Sequence, residues 1–331
     1  MKLVIVGNGF DSAHELHTNY KYFKEYIKNT DKEEYEFLSI LFGEEFESIE
    51  FWNSFEENLS KSQFENFVLE LKNKNDCKKN SSIINYNENN LLLYFYEHIN
   101  KLKEMFCVWI KKANNFSGKT KKEHLLKCFE DSIVFCFNYT STIENLYKHD
   151  CYHIHGSIEN VDIDNKLGLD SIVFGHLFNT IFFESDKGNI EGNIYFSVFD
   201  NGKNIPIDEI SFSKQFDCSE NEQINNILTE AENRYEDIFQ KKCRTIIEKD
   251  NTGFFAELSK KANTINEVIV LGHSMSVVDL EYYKKIVEIL KSKLEEIKWI
   301  VSYYDGEDSK NEFRGKLEEL GILSDVEFIS I

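Results

Sequence analysis

Four clusters of small and polar residues carry the groups in this sequence that could do chemistry: Gly7-Asn8-Gly9-Phe10-Asp11, Asn138-Tyr139-Thr140, His155-Gly156-Ser157 and Gly272-His273-Ser274. His155 leads among the ionisable groups, because imidazole can act as a base near neutral pH and Gly156 beside it leaves room for a ligand. His273 ranks second among the histidines. His153, two residues before His155, would share a sheet face with it in a regular strand and reads as the packed member of the pair. Asn138 can bind hydroxyls or position a water without carrying charge, with an Asx turn as the competing use. The Gly7-x-Gly9 turn would let a backbone approach a pyrophosphate, although a plain strand-to-helix turn explains it equally well. Asp11 is either a ligand contact or a helix N-cap, capping being the preferred reading. Ser141 with Glu144, and Ser276 with Asp279, have capping-box spacing and are read as helix starts without chemistry.

Each cluster follows a short apolar run with strand composition: residues 2–6, 133–137, 152–154 and 268–271. Ligands of open parallel sheets sit at the carboxyl ends of the strands, so strands of one such sheet would bring all four clusters to one crevice. Helical periodicity runs from residue 20 to about 71, resumes at 91 toward Trp109, and returns over residues 224–247. Residues 73–90, rich in Asn, Lys and Ser, read as a surface loop. Further strands are expected at residues 299–303 and 326–329, after an amphipathic helix around residues 282–294. The pattern predicts an α/β fold with a doubly wound parallel sheet and large helical insertions. Residues 1–25, 130–175 and 265–331 would build the sheet domain. Residues 26–129 would be a helical insertion, and residues 176–264 a second one of loops, hairpins and helix.

The 331 residues carry a formal net charge of −20, which repels phosphate backbones and disfavours nucleic acid as a partner. Seven cysteines, without C-x-x-C spacing, indicate neither a disulfide framework nor a zinc site, so no metal is expected and a reducing compartment fits. No apolar run is long enough to span a bilayer, and a cytoplasmic protein without membrane contact is expected.

Five segments together resemble the AbiH family of bacterial abortive-infection proteins. They are G-N-G-F-D-x-A-H from Gly7 with Thr18-x-Tyr20, Trp52 with Phe55-Glu56, F-N-Y-T from Phe137, I-H-G-S from Ile154, and L-G-H-S-x-S-x-x-D from Leu271. Glu15 and His17 stand where that family usually has glycine and proline. More distantly, the same segments are similar to sirtuin-like NAD-binding domains, although those carry an arginine where this chain has Tyr20, and a zinc-binding cysteine quartet that is missing here.

The resemblance implies a Rossmann-like nucleotide-binding domain, with NAD as substrate rather than cofactor. Gly7, Asn8, Gly9, Phe10 and Asp11 would form the phosphate loop. Thr140, Gly156, Gly272, His273 and Ser274 would be further nucleotide contacts. Asn138 would orient a water and His155 would be the base, with Glu56 as a third contributor. The implied function is an anti-phage NAD+ glycohydrolase that responds to a phage-derived trigger. The alternatives are a non-catalytic nucleotide-binding sensor or interaction module and, ranked last, a nuclease. Trigger and oligomeric state stay open.

Overall fold

Lys2–Val6, apolar after Lys2 and mostly β-branched, forms β1, and the parallel strands Ser132–Cys136 (β2) and Glu267–Leu271 (β6) pair with it on either side, Val4 lying opposite both Val134 and Ile269. The structure, a computed structural model, describes residues 1–62, 88–175, 197–200, 203–206, 218–239, 241–303, 306–323 and 326–331. Among these, Tyr152–His153 (β3), Lys298–Tyr303 (β7) and Val326–Ser330 (β8) complete a six-stranded all-parallel sheet in the order β3-β2-β1-β6-β7-β8. The chain moves outward from β1 in one direction through β3, then returns to the other side of β1 with β6, so the order reverses between β1 and β6. An antiparallel hairpin, Ser197–Asp200 (β4) with Lys203–Pro206 (β5), lies in the segment read as loops and hairpins.

Both sheet faces are covered, which is why the central strands are apolar at every position after the first. Leu3, Ile5, Phe135 and Val270 face one layer with Phe254, Tyr282, Tyr283 and Ile286. Val4, Val6, Val134 and Leu271 face the other with Phe10, Phe129 and Tyr147. A third core belongs to helices Tyr20–Thr30, Lys32–Phe42, Glu88–Ala113 and Cys218–Phe239 and their neighbours, and it is largely aromatic. Trp52 stacks on Phe55 at 4.8 Å and Phe106 on Phe174 at 4.2 Å. Each such fully buried ring is worth roughly 1.5–3 kcal/mol relative to exposure, enough to hold this layer as a rigid wall. Tyr139 belongs to this third core, so the helical layer packs directly on the loop that follows β2.

The helical reading of residues 63–71 and most of the predicted loop at 73–90 lie outside the described residues. Helix Glu88–Ala113 starts three residues before the expected Leu91. No helix among the described residues is long and apolar enough to cross a membrane.

Candidate active site

The four strand-end clusters meet at one edge of the sheet, because β1, β2, β3 and β6 run parallel and stop at nearly the same level. They border a cleft of about 630 Å³ lined by Asn8, Gly9, Asp11, Asn138, Thr140, His155, Gly272, His273 and Ser274 from the predicted set. Gly7, Phe10 and Gly156 do not line it. Phe10 is fully buried in the sheet layer, against Phe129 and Tyr147.

The glycines at this edge are needed where two loops touch. A Cβ on Gly7 would lie 2.6 Å from the His273 Cα, and one on Gly9 2.8 Å from the Gly272 carbonyl oxygen. Gly272 has φ +64 and meets the Phe10 nitrogen. The loop's amides are engaged inside the protein: Gly7 N–H donates to Leu271 O at 3.0 Å, Gly9 N–H to Gly272 O at 2.7 Å and Phe10 N–H to Gly7 O at 2.9 Å. Packing of the β1 loop on the β6 loop therefore accounts for the G-x-G spacing without a ligand.

Asn138 makes no Asx turn. Its Nδ2 donates to the Gly7 carbonyl at 3.0 Å across the strand ends, and its own carbonyl accepts from His153 Nδ1 at 2.8 Å. Asp11 is not a cap either. It lies inside helix Asn8–Ala13, and its buried carboxylate accepts from Thr140 and Thr142, both at 2.6 Å. Burial outweighs these donations and raises its pKa to about 7.

His153 and His155 do not share a face, because β3 ends at His153 and the chain turns at once. His153 meets Cys151 and Glu144, whereas His155 packs edge-on to Phe137 and Tyr282. The capping reading of Glu144 fails with it, since this carboxylate bonds His153, while Ser141 bonds Glu159 at 2.7 Å. The Ser276–Asp279 box does not form: Ser276 makes no side-chain cap, and Asp279 points into the cleft.

Asp279 is the hub of a charged network that includes residues with no motif of their own. Its Oδ1 is 3.1 Å from Lys241 Nζ and 3.7 Å from His155 Nε2; its Oδ2 is 3.4 Å from His273 Nε2. The Met275 amide donates to His273 Nδ1 at 2.9 Å, so the ring's proton sits on Nε2, facing Asp279. Burial pushes the Asp279 carboxyl up, but the Lys241 ammonium and the His273 N–H hold it well below the usual carboxylate range. Burial, with the Lys241 charge beside it, drives His155 well below its ordinary value, so this imidazole is neutral. On its other side Lys241 pairs with Glu56, which also accepts from the Tyr20 hydroxyl and, at 3.4 Å, from Tyr139.

Glu56 was among the candidates read from the sequence, and it lines the cleft. Lys241, next to Lys242 after a helix, looks like an ordinary helix-end lysine in sequence, and Asp279 was hidden by its capping-box spacing. Aromatic side chains of Tyr20, Phe106, Trp109, Phe137 and Tyr139 supply the cleft's walls, and Lys316 and Glu312 also border it.

The fold and cleft define an α/β protein whose polar groups converge on the carboxyl edge of a parallel sheet. A family model described as Bacteriophage abortive infection AbiH matches residues 3–303, and the chain belongs to that family. Its role is thereby bacteriophage abortive infection. No curated protein and no solved structure gives a significant match.

Proposed function

We propose that this cleft hydrolyses NAD+ to nicotinamide and ADP-ribose when a phage-derived trigger activates the protein. The observation that carries the reading is the convergence of Asn138, neutral His155 and the carboxylates of Glu56 and Asp279 in one aromatic-walled cleft. Nicotinamide is a cationic leaving group, so the transition state places positive charge on the ribose, and buried carboxylates favour such charge. Water would add its oxygen to the ribose C1′ as the bond from C1′ to the nicotinamide nitrogen breaks. A neutral imidazole can take up the proton released, and the aromatic walls suit a flat base or nicotinamide ring. The strand reversal between β1 and β6 sits where doubly wound, Rossmann-like folds bind dinucleotides, and the sirtuin-like resemblance suggests the same ligand. The net charge of −20 disfavours a nucleic acid as the ligand.

The test is to follow NAD+ in cells during phage challenge and with purified protein, for wild type, Asn138→Ala and His155→Ala. Both variants should lose NAD+ hydrolysis and defence. Asn138→Ala also gives up the bond to Gly7, a cost of roughly 1 kcal/mol that melting temperatures will register. A wild type that defends without depleting NAD+ rules the hydrolase out. Stabilisation by NAD+ without turnover would move the cleft to the sensor reading.

A further inference from the structure

Behind the cleft, on the sheet face away from His155, four groups without a role in the proposed hydrolysis converge. Cys136 ends β2 and lies in register with His153 of the edge strand β3. Cys151 leads into that strand, and Glu144 reaches over from the single helical turn Ile143–Tyr147. The thiol sulfurs of Cys136 and Cys151 and a His153 ring nitrogen all lie within 4.8 Å of one another. Glu144 Oε1 is 2.8 Å from His153 Nε2 and 3.0 Å from Cys151 Sγ, and Cys151 Sγ is 3.2 Å from Nε2. Both cysteines are free.

The geometry points to a tetrahedral site for a single Zn2+ ion, bound by Cys136 Sγ, Cys151 Sγ, His153 Nε2 and Glu144 Oε1. Zinc bonds of about 2.0–2.3 Å at tetrahedral angles set ligand atoms roughly 3.3–3.8 Å apart, so Cys151, His153 and Glu144 would move apart slightly, and Cys136, within 4.8 Å of Cys151 and His153, would close in to seat the ion. The second ring nitrogen supplies a separate argument. His153 Nδ1 faces the Asn138 carbonyl at 2.8 Å, and a carbonyl can only accept, so Nδ1 carries the proton and Nε2 is left to donate its lone pair. Metal-ligating histidines almost always have their second ring N–H anchored in this way. Without an ion, Nε2 can face a carboxylate at 2.8 Å only by holding a second proton.

A divalent cation would be taken up as the thiols and Nε2 give up their protons. Glu144 Oε2 is buried with no hydrogen-bond partner among the described residues. Cys136 is almost fully buried and Cys151 half-buried, so the ion would enter from the β3 edge. The donor set, two thiolates with one imidazole, selects zinc over magnesium or calcium. No sequence spacing announces the site, because its ligands come from two neighbouring strands and a turn.

The experiment uses the full chain, reduced and stripped of metal, titrated with Zn2+ against a chromophoric chelator and, separately, with Co2+. We expect one ion per chain, and with Co2+ the visible and thiolate charge-transfer bands of tetrahedral thiolate ligation. Cys151→Ser should lower Zn2+ affinity by roughly 100-fold and Glu144→Gln by roughly 10-fold. Cys128→Ser, at a free thiol outside the cluster, should change nothing. Cys136→Ser repeats the test at the buried position, and Cys151→Ser carries it if that variant does not fold. Substoichiometric binding, or unchanged affinity in Cys151→Ser, overturns the site. So does an intact mass lower by two hydrogens in air-exposed protein with Cys136 and Cys151 joined and no metal uptake after reduction, which would make the pair a redox couple instead. None of these readouts depends on NAD+ turnover.

Discussion

Lys241 and Asp279 stand 3.1 Å apart with their side chains almost wholly withdrawn from water, and the same ammonium pairs with Glu56 on its other side. One cation thus serves two carboxylates from distant parts of the chain. An ammonium with this little solvent is held charged only by such neighbours: burial pulls its pKa down, and Asp279 and Glu56 more than restore it. The arrangement also bears on His155, where burial, reinforced by the adjacent positive charge, keeps a proton off the ring.

Removing the cation should therefore be severe. Lys241→Met leaves two buried carboxylates facing each other and should cost about 3–5 kcal/mol, read as a shift of the urea midpoint. Adding Asp279→Asn should recover part of that loss. Additive effects of the two substitutions would show that the residues are not coupled.

Asp11 makes a prediction about pH. Its native pKa is raised from 3.8 to about 7, so between those values the folded state holds a proton that the unfolded chain releases. Stability contributed by the protonated carboxyl is complete below about pH 4 and is lost as pH rises toward 7, by a few kcal/mol in all. Asp11→Asn, which cannot ionise, should remove this part of the slope in denaturation curves taken across pH 4–8. An unchanged slope would mean that the carboxyl is not perturbed.

Gly272→Ala should fail for two separate reasons. The φ of +64 strains an alanine, and its Cβ would fall 2.0 Å from the Phe10 nitrogen, which cannot retreat without opening the β1 loop. We expect a loss of roughly 3 kcal/mol or more, or no soluble protein. Gly118, with φ +73 and open space around its Cβ, is the control: Gly118→Ala should cost only the backbone strain of roughly 1–2 kcal/mol. Equal melting temperatures for the two variants would show that the loop contact is not tight.

Much of the sheet was legible because buried parallel strands leave a plain trace. Residues 3–6, 133–137 and 268–271 are apolar throughout and are followed by small or polar residues, so the crevice could be placed from the sequence. What lay hidden were pairings that depend on where a strand stops. Had β3 continued past His153, His155 would have stood on the same face; the turn at Ile154 sends the two rings to opposite sides. Capping-box spacing misled twice, at Glu144 and at Asp279, since a carboxylate three residues after a serine is equally well placed to turn inward when a buried histidine or lysine waits there. Lys241 comes from a segment whose sequence shows only a helix and a basic end. No local pattern can report a partner supplied by residue 56 or 279.

The order of those three residues along the chain has a consequence for synthesis. Glu56 leaves the ribosome early, Lys241 late and Asp279 later still, and the carboxylates meet their shared cation only when the helical layer has docked on the sheet. A nascent chain therefore carries scattered, water-exposed charges rather than an assembled cleft, and a truncated product ending before Asp279 lacks one of the two carboxylates that hold the buried Lys241 charged. For a chain of the abortive-infection family, the full charge network is thus assembled only once residue 279 has been made.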